Sequence, residues 1–400
     1  TVALASGATQ TGFGRTGTVD WQTTPKTGDF TAVNGEGYFI NTTSGEVTMT
    51  MPSGSAGAIV SIQDYNKTFD SNNLTVAPAS GEKINGGDAS ANLVINTEGQ
   101  GLTFVYVDGT VGWKTVHENE FTKGGSDFVA ATGGTITESG NDKIHTFTGP
   151  GTFTVTSASA CAANNTFSYV VVGGGGGGGS WGGGGAGAGG YREVKSPATP
   201  YTASPLDGYP SSPNRIAAAS QAYPITIGAG GTAPPAYPNR NTCISNGSNS
   251  IFSTIVGAGG GKGGNQGDSG GDGGSGGGQS VVCSSIGTGN TPPTTPAQGT
   301  NGGGGHQNTP IGAYFGGGGG GATVAGSSDP GSNDAGPGGA GATSSITGSP
   351  VARAGGGGGG NVETGCSTGG AGGGGAGGGG DAGGAGGAGT VNTGGGGGSA

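Results

Sequence analysis

Apolar and polar positions alternate in short runs along the first part of the chain. "GYFINTT", "EVTMTMP", "AIVSIQDY", "LTVAPAS", "LVINTEG" and "GLTFVYVDG" are β-branched or aromatic stretches bounded by Gly, Asn, Asp, Pro or Ser, the pattern of successive strands. In "EVTMTM" the period of two puts Val47, Met49 and Met51 on one face and the threonines on the other, as in a half-buried antiparallel strand. Trp113 in "GTVGWK" is a core or rim aromatic that ends this unit. A second set, "GTITES", "DKIHTFTG", "GTFTVTSA" and "FSYVVV", predicts a smaller β unit, with "FTGPGTF" as a tight connection between its middle strands. The organisation expected is 1–18 as a connecting segment, 19–125 as a β domain, 126–172 as a small β unit, and 173–400 as a glycine-rich domain.

At residue 173 the pattern changes. Three valines run directly into seven glycines, and glycine runs then alternate with glycine-poor segments to the end of the chain. No fixed repeat length connects them, and the runs have glycine at nearly every place, unlike the every-third-place rule of collagen. Such runs are either a flexible tether or a fold held by backbone hydrogen bonds. A left-handed helix of three residues per turn directs each N–H and C=O sideways, so neighbouring helices bond directly when all faces carry only hydrogen or a methyl. Ordering glycine costs on the order of 1–2 kcal/mol per residue, so only a cooperative bundle offsets it. The run 257–279 is long enough to double back. A strand entering the tract without a linker, and intervening segments rich in tyrosine and proline, favour the bundle. The fold class expected is therefore all-β units followed by a polyglycine II helix bundle, with essentially no α-helix.

Composition tests this reading. Glycine is 105 of 400 residues and proline 20, a level associated with low complexity, but charged residues are only 9%. Most of the net charge of −10 lies before residue 173, and no basic stripe is available for phosphates, so nucleic acid is not an expected partner. No stretch approaches the ~20 apolar residues of a membrane helix. The cysteines, Cys161, Cys243, Cys283 and Cys366, form no CxxC pair. Cys243 with Cys283 is the disulfide to test, free buried thiols being the alternative.

Catalytic constellations are hard to assemble. His117, His145 and His306 fall in different units, and His145 reads as a strand-face residue. "GAGGGKGG" at 257–264 lacks the Walker spacing and the Ser or Thr after Lys262. "GGNQGDSGGDGG" places Asp268 and Asp272 without the nine-residue repeat of a calcium roll. Carboxylates between Asp20 and Asp142 show no pairing suited to glycan hydrolysis. No catalytic residue, metal or cofactor is expected.

The stretch 169–190, the preceding "KIHTFTGPGTFTV" and the alternation of glycine runs with aromatic loops resemble the glycine-rich domains of bacteriophage tail-fibre and receptor-binding adhesins, including the polyglycine sandwich of T-even-like tip adhesins. "VDWQTTPKTGDFTAVNGEGYFINTTSG" and "NNLTVAPASGEKINGG … LTFVYVDGTVGW" resemble a β domain of tailed-phage structural proteins, especially cyanophage-like ones. The resemblance implies a virion fibre or extracellular appendage, a host cell-surface receptor (a glycan or an outer-membrane protein), other fibre proteins as partners, and a homo-oligomer, commonly a trimer. It also implies a closing strand after the last glycine run, which this sequence lacks. Rigid aromatics and arginines in the loops are the expected contacts: Tyr191, Arg192, Tyr201, Tyr209, Tyr223, Tyr237, Arg240, Phe252, Tyr314 and Phe315. For each, packing over a bundle end is the competing role. Two other classes stay open. A structural subunit of a virion or extracellular filament would use the bundle for assembly; an ice-binding bundle would need a strict tripeptide period that the irregular loops oppose.

Overall fold

The computed structural model describes residues 19–116, 128–159, 164–234, 244–265, 268–280, 285–308, 313–328, 334–362, 367–379 and 384–400. It divides into two compact units, one containing residues 19–116 and the other residues 130–157 with 165–400. Both are all-β in the regular structure described, which includes a short 3-10 turn at Ser212–Asn214.

The first unit holds β1 (Asp20–Lys26), β2 (Phe30–Thr31), β3 (Glu36–Ile40), β4 (Val47–Thr50), β5 (Ile59–Asp64), β6 (Leu74–Ala77), β7 (Leu93–Ile95), β8 (Gly101–Asp108) and β9 (Gly112–Val116). The six runs read from sequence are β3 to β8. The chain alternates between two sheets, ordered β1-β3-β5-β8-β9 and β2-β4-β6-β7. As a result β1, β3 and β5 pair in parallel, as do β2, β4 and β6; β7, β8 and β9 then add antiparallel.

This corrects the antiparallel assignment of "EVTMTM". Val47, Met49 and Met51 are buried on one face as expected, but β4 is parallel to both neighbours. In a coil of two facing sheets every strand has an inner and a wet outer face, so alternation does not report strand direction. The inner faces supply one core that includes Tyr38, Ile40, Val60, Phe69, Leu74 and Phe104. Trp113 lies fully inside it, and its indole N–H donates to Glu82 Oε2 at 3.0 Å. Asp64 is buried at a turn and accepts from the backbone N–H groups of Thr68, Phe69 and Gly99.

In the second unit, β10 (Ala130–Thr132), β13 (Gly151–Ser157), β16 (Ala222–Thr226), β17 (Ser250–Phe252) and β18 (Ile255–Gly257) form one antiparallel sheet. β11 (Thr135–Ser139) and β12 (Asp142–Thr146) make a separate hairpin. The tight segment after β12 thus leads from hairpin to sheet, because β13 bonds to β10 and to β16. β14 (Tyr169–Val172) pairs with β15 (Tyr191–Val194), and the glycines between them are the first two runs of the bundle. Short hairpins β19 (His306–Asn308) with β20 (Ala313–Phe315) and β21 (Ala342–Ser344) with β22 (Val351–Arg353) join later runs.

The glycine runs bond to one another with a three-residue period. Gly173, Gly176 and Gly179 donate to the carbonyls of Gly190, Gly187 and Gly184 at 3.1, 3.0 and 2.9 Å. Gly174 and Gly177 donate instead to Ser248 and Ser245, both at 3.0 Å. In the next run, Gly184, Gly187 and Gly190 donate to Gly264, Gly261 and Ala258, Gly185 and Ala188 to Gly317 and Gly320, and Ala186 and Gly189 to Gly397 and Gly394. Each third of the residues therefore addresses a different neighbour, as three residues per turn require. Apart from Gly394 at the start of its run, these glycines are absent from the positive-φ positions. Run 183–190 is enclosed by 173–179, 258–264, 275–278, 316–321, 355–360 and 394–400, a hexagonal arrangement.

Close approach explains the composition. A Cβ on Gly173, Gly174 or Gly175 would lie 2.1, 2.1 or 2.0 Å from the carbonyl oxygens of Ala258, Ala229 and Gly395, three different neighbours. No side chain fits at those separations. Ala188 is tolerated because its methyl joins a small cluster with Tyr191, Ala322, Ala342 and Ala354. The segment 257–279 does double back: Gly271 and Gly274 donate to Lys262 and Gly259, after which Ser275 and Gly278 accept from Gly261 and Gly264. Residues 394–400 occupy a bundle position of their own, with Gly397 and Ala400 donating to Gly176 and Gly179.

Candidate functional site

Successive runs travel up and down, so the described connections sort onto two ends of the bundle. At the end where β14 enters lie the β13–β16–β17–β18 sheet, residues 191–227, the segment 290–298 and the β21–β22 hairpin. At the opposite end, run 173–179 turns at Ser180–Gly182 and the β19–β20 hairpin folds back.

The sheet end gathers most of the aromatic residues expected to bind. Phe252 and Tyr223 belong to a ring cluster with Phe153, Phe167 and Tyr169: Phe252 lies 6.0 Å from Phe153, 5.9 Å from Phe167, 6.0 Å from Tyr169 and 5.9 Å from Tyr223 between centroids. Tyr223 is buried, and its hydroxyl donates to Ala217 O at 3.0 Å while accepting from Ala219 N–H at 3.0 Å. His145 packs edge-on against Phe153 at 5.0 Å, with Nδ1 2.8 Å from Gly133 O.

Tyr191 is also buried, on β15 above Ala188. Its hydroxyl donates to Glu193 Oε2 at 3.0 Å, the same carboxylate that accepts from Ser204 N–H at 2.9 Å and, through Oε1, from the Ser344 hydroxyl at 2.6 Å. Glu193 thus ties the 191–227 connection to the β21–β22 hairpin at one buried point. Burial pushes the phenols of Tyr169, Tyr191 and Tyr201 above the ordinary tyrosine range, the nearby Glu193 carboxylate adding to it for the latter two. Arg192 is half-buried and donates to Asn214 Oδ1 at 2.6 Å; desolvation lowers its pKa. Tyr201 is half-buried with Lys195 Nζ 6.0 Å from its ring centroid. Of this group only Tyr209 is substantially exposed, at 37%.

The opposite end is different in kind. Trp181 takes a left-handed backbone conformation, φ 51°, followed by Gly182 at φ 62°. For a bulky residue this is an outlier, and such strain concentrates at functional positions. Tyr314 on β20 packs against this turn, since a Cβ on Gly182 would lie 2.8 Å from Tyr314 Cβ. Phe315 is fully buried beneath, whereas His306 and Gln307 on β19 are exposed, with Gln307 opposite Tyr314. Ile286 is 38% exposed.

The expected residues therefore split. Tyr191, Arg192, Tyr201, Tyr209, Tyr223 and Phe252 lie at the sheet end, and Tyr314 and Phe315 at the other; Tyr237, Arg240 and the Cys243–Cys283 pairing fall outside the described residues. Trp181 escaped the sequence reading, although a lone bulky residue between two glycine runs marks it. Residues 257–264 form a bundle run with no phosphate cradle, and Lys262 sits 3.7 Å from Asp268. Asp272 accepts from Thr288 N–H at 2.6 Å.

These features define an all-β protein whose second unit is a backbone-bonded glycine scaffold carrying side chains at its ends. A family model described as a glycine-rich domain matches residues 146–400, more than half of the sequence, and the chain belongs to that family. No curated protein sequence matches the chain.

Proposed function

We propose that the chain is a non-enzymatic bacteriophage tail-fibre or adhesin protein that presents loops on its glycine scaffold to a receptor on the host cell surface. The observation that carries this reading is the division of labour between the bundle ends. At the sheet end Tyr191, Tyr223 and Phe252 are consumed by packing, while at the opposite end Trp181 holds a strained turn beside Tyr314, His306 and Gln307. A bundle bonded through its backbone positions such a surface rigidly and so reduces the entropy lost on binding. Partly exposed aromatics with adaptable polar neighbours are the residue types that anchor binding surfaces.

The test is adsorption of labelled protein to a panel of bacterial cells and purified envelopes, comparing the wild type with W181A/Y314A and with Tyr209→Ala at the other end. Adsorption lost only in the double variant, with the melting curve retained, supports the reading. Wild-type protein that adsorbs to none of them, or adsorption unchanged by the double variant, overturns it.

A further inference from the structure

Run 173–179 has one side on which the hydrogen-bond pattern breaks. Its first set of N–H groups (Gly173, Gly176, Gly179) and its second (Gly174, Gly177) are all bonded. Among the described residues the third set, Gly175 and Gly178, has no acceptor, although both glycines are buried. Run 394–400 shows the complementary gap: the carbonyls of Gly394, Gly396, Gly397 and Ser399 accept bonds, and those of Gly395 and Gly398 have no donor among the described residues. The two rows lie abreast, since a Cβ on Gly175 would meet Gly395 O and one on Gly178 would meet Gly398 O, at 2.0 and 2.1 Å. Unpaired buried backbone groups are rare, and a periodic row of them calls for a cause.

Among the described residues, free space beside the rows supplies it. Most bundle glycines would put an added Cβ about 2 Å from a neighbouring backbone, but at Gly230 the nearest atom is Gly175 O at 3.7 Å, and at Gly397 the nearest are Gly178 N at 3.2 Å and Gly176 O at 3.6 Å. Gly230 belongs to run 228–232, which bonds 173–179 through Gly231 N–H to Gly175 O; Gly397 bonds it through its N–H to Gly176 O. With three residues per turn, the bonds of 173–179 to 184–190, 245–248, 257–264, 228–232 and 394–400 fill every hexagonal direction except the one between 228–232 and 394–400. The N–H groups of Gly175 and Gly178 point along that direction.

We propose that this position, which no described residue fills, is a docking groove for a glycine-rich strand of a partner chain, taken up in the same three-residue conformation. It would accept from the N–H groups of Gly175 and Gly178 and donate to the carbonyls of Gly395 and Gly398, the helical counterpart of adding a strand to an open sheet edge. The spacing selects the partner. Donor and acceptor rows repeat every third residue, ~9 Å apart, and an inward-facing side chain would collide with backbone as it would elsewhere in the bundle. The strand must therefore carry glycine on its inward faces and no proline where an N–H is needed.

The probe is a lysine-flanked peptide of about nine glycines, roughly three turns, titrated by fluorescence anisotropy onto the full chain, with a second peptide carrying valine at every second place so that side chains occupy all faces. Saturable binding of the glycine peptide alone is expected, with slowed amide exchange at Gly175 and Gly178. Gly230→Val, whose side chain enters the groove from a position with open space, should abolish it while leaving the melting curve intact; Gly397→Ala is the second blocking variant. Absence of saturable binding, equal binding of the valine peptide, or binding unchanged in both variants overturns the proposal.

Discussion

The two units are held together in opposite ways. Residues 19–116 close two sheets over a core of large side chains, among them Met49, Phe69, Phe104 and Trp113, and the backbone serves to place them. In the glycine bundle the relation is inverted: backbone bonds to backbone across run after run, and large side chains gather at the ends while the interior holds small ones, such as Ala188 with Ala322, Ala342 and Ala354. A hydrophobic core tolerates exchanges that conserve volume. A lattice of touching backbones has no volume to exchange, so its tolerance is set by whether a Cβ has anywhere to go.

The two kinds of packing differ most at the centre of the bundle. Gly187 lies in the enclosed run 183–190, and a Cβ there would sit 2.1 Å from Ser275 O. Gly187→Val is expected to abolish the bundle, because the penalty exceeds the usual overpacking cost of about 1–3 kcal/mol and spreads to several neighbouring runs. Amide exchange should become fast throughout the glycine runs while residues 19–116 keep their protection. Uniform protection in this variant would show that the runs are not one cooperative body.

The matching change in the first unit removes side-chain volume. Phe104 is fully buried on β8, and Phe104→Ala is expected to cost about 3–5 kcal/mol. A melt followed by near-ultraviolet circular dichroism should show the loss confined to the first unit, with the exchange protection of the bundle unchanged.

Alkaline pH sharpens the contrast with a smaller effect. Burial, aided by the hydrogen bond to Glu36, holds the Tyr38 phenol at about 12 against an ordinary 10.0. In the second unit Tyr169, Tyr191 and Tyr201 are all displaced upward by burial. Each phenol keeps its proton in the folded state at a pH where the unfolded chain has lost it. Above pH 10 the unfolded state thus binds fewer protons, and stability falls as pH rises. For Tyr38 the loss runs from about pH 10 to about pH 12. The sheet end of the second unit, with three such tyrosines, should lose more over the same rise, measured as denaturant midpoints at pH 9 and pH 11, and Tyr191→Phe should reduce the difference.

Much of this was legible from the residues. The strands β3 to β8 follow from alternation bounded by turn residues, and a packed bundle follows from Val170–Val172 running into glycine without a linker. The parallel coil was not legible, because Val47, Met49 and Met51 present the same period whichever way the neighbours run. The fate of the aromatic loops was hidden for a related reason. A bundle without side chains has no core to bury its ends, so Tyr191, Tyr223 and Phe252 must close one end, and residue type alone does not separate closing from binding. Glu193 illustrates it best: its partner Ser204 is in the same connection, but Ser344 comes from a hairpin 151 residues away that only the bundle brings to the same end.

The smallest expected effect is the most discriminating, because it asks whether glycine is required for its conformation or for its contacts. Gly230 is not at positive φ, and a Cβ on it would meet only Gly175 O at 3.7 Å. Alanine there loses less backbone entropy on folding, so Gly230→Ala should leave the melt unchanged or raise stability by about 0.4–1 kcal/mol. Gly174, in the adjacent run, also avoids positive φ, yet its added Cβ would lie 2.1 Å from Ala229 O. If the two alanine variants destabilise alike, the glycines are demanded by backbone conformation and the contact argument fails. If only Gly174→Ala does, the composition of the bundle is a record of which directions are occupied, and the open ones can be found by substitution.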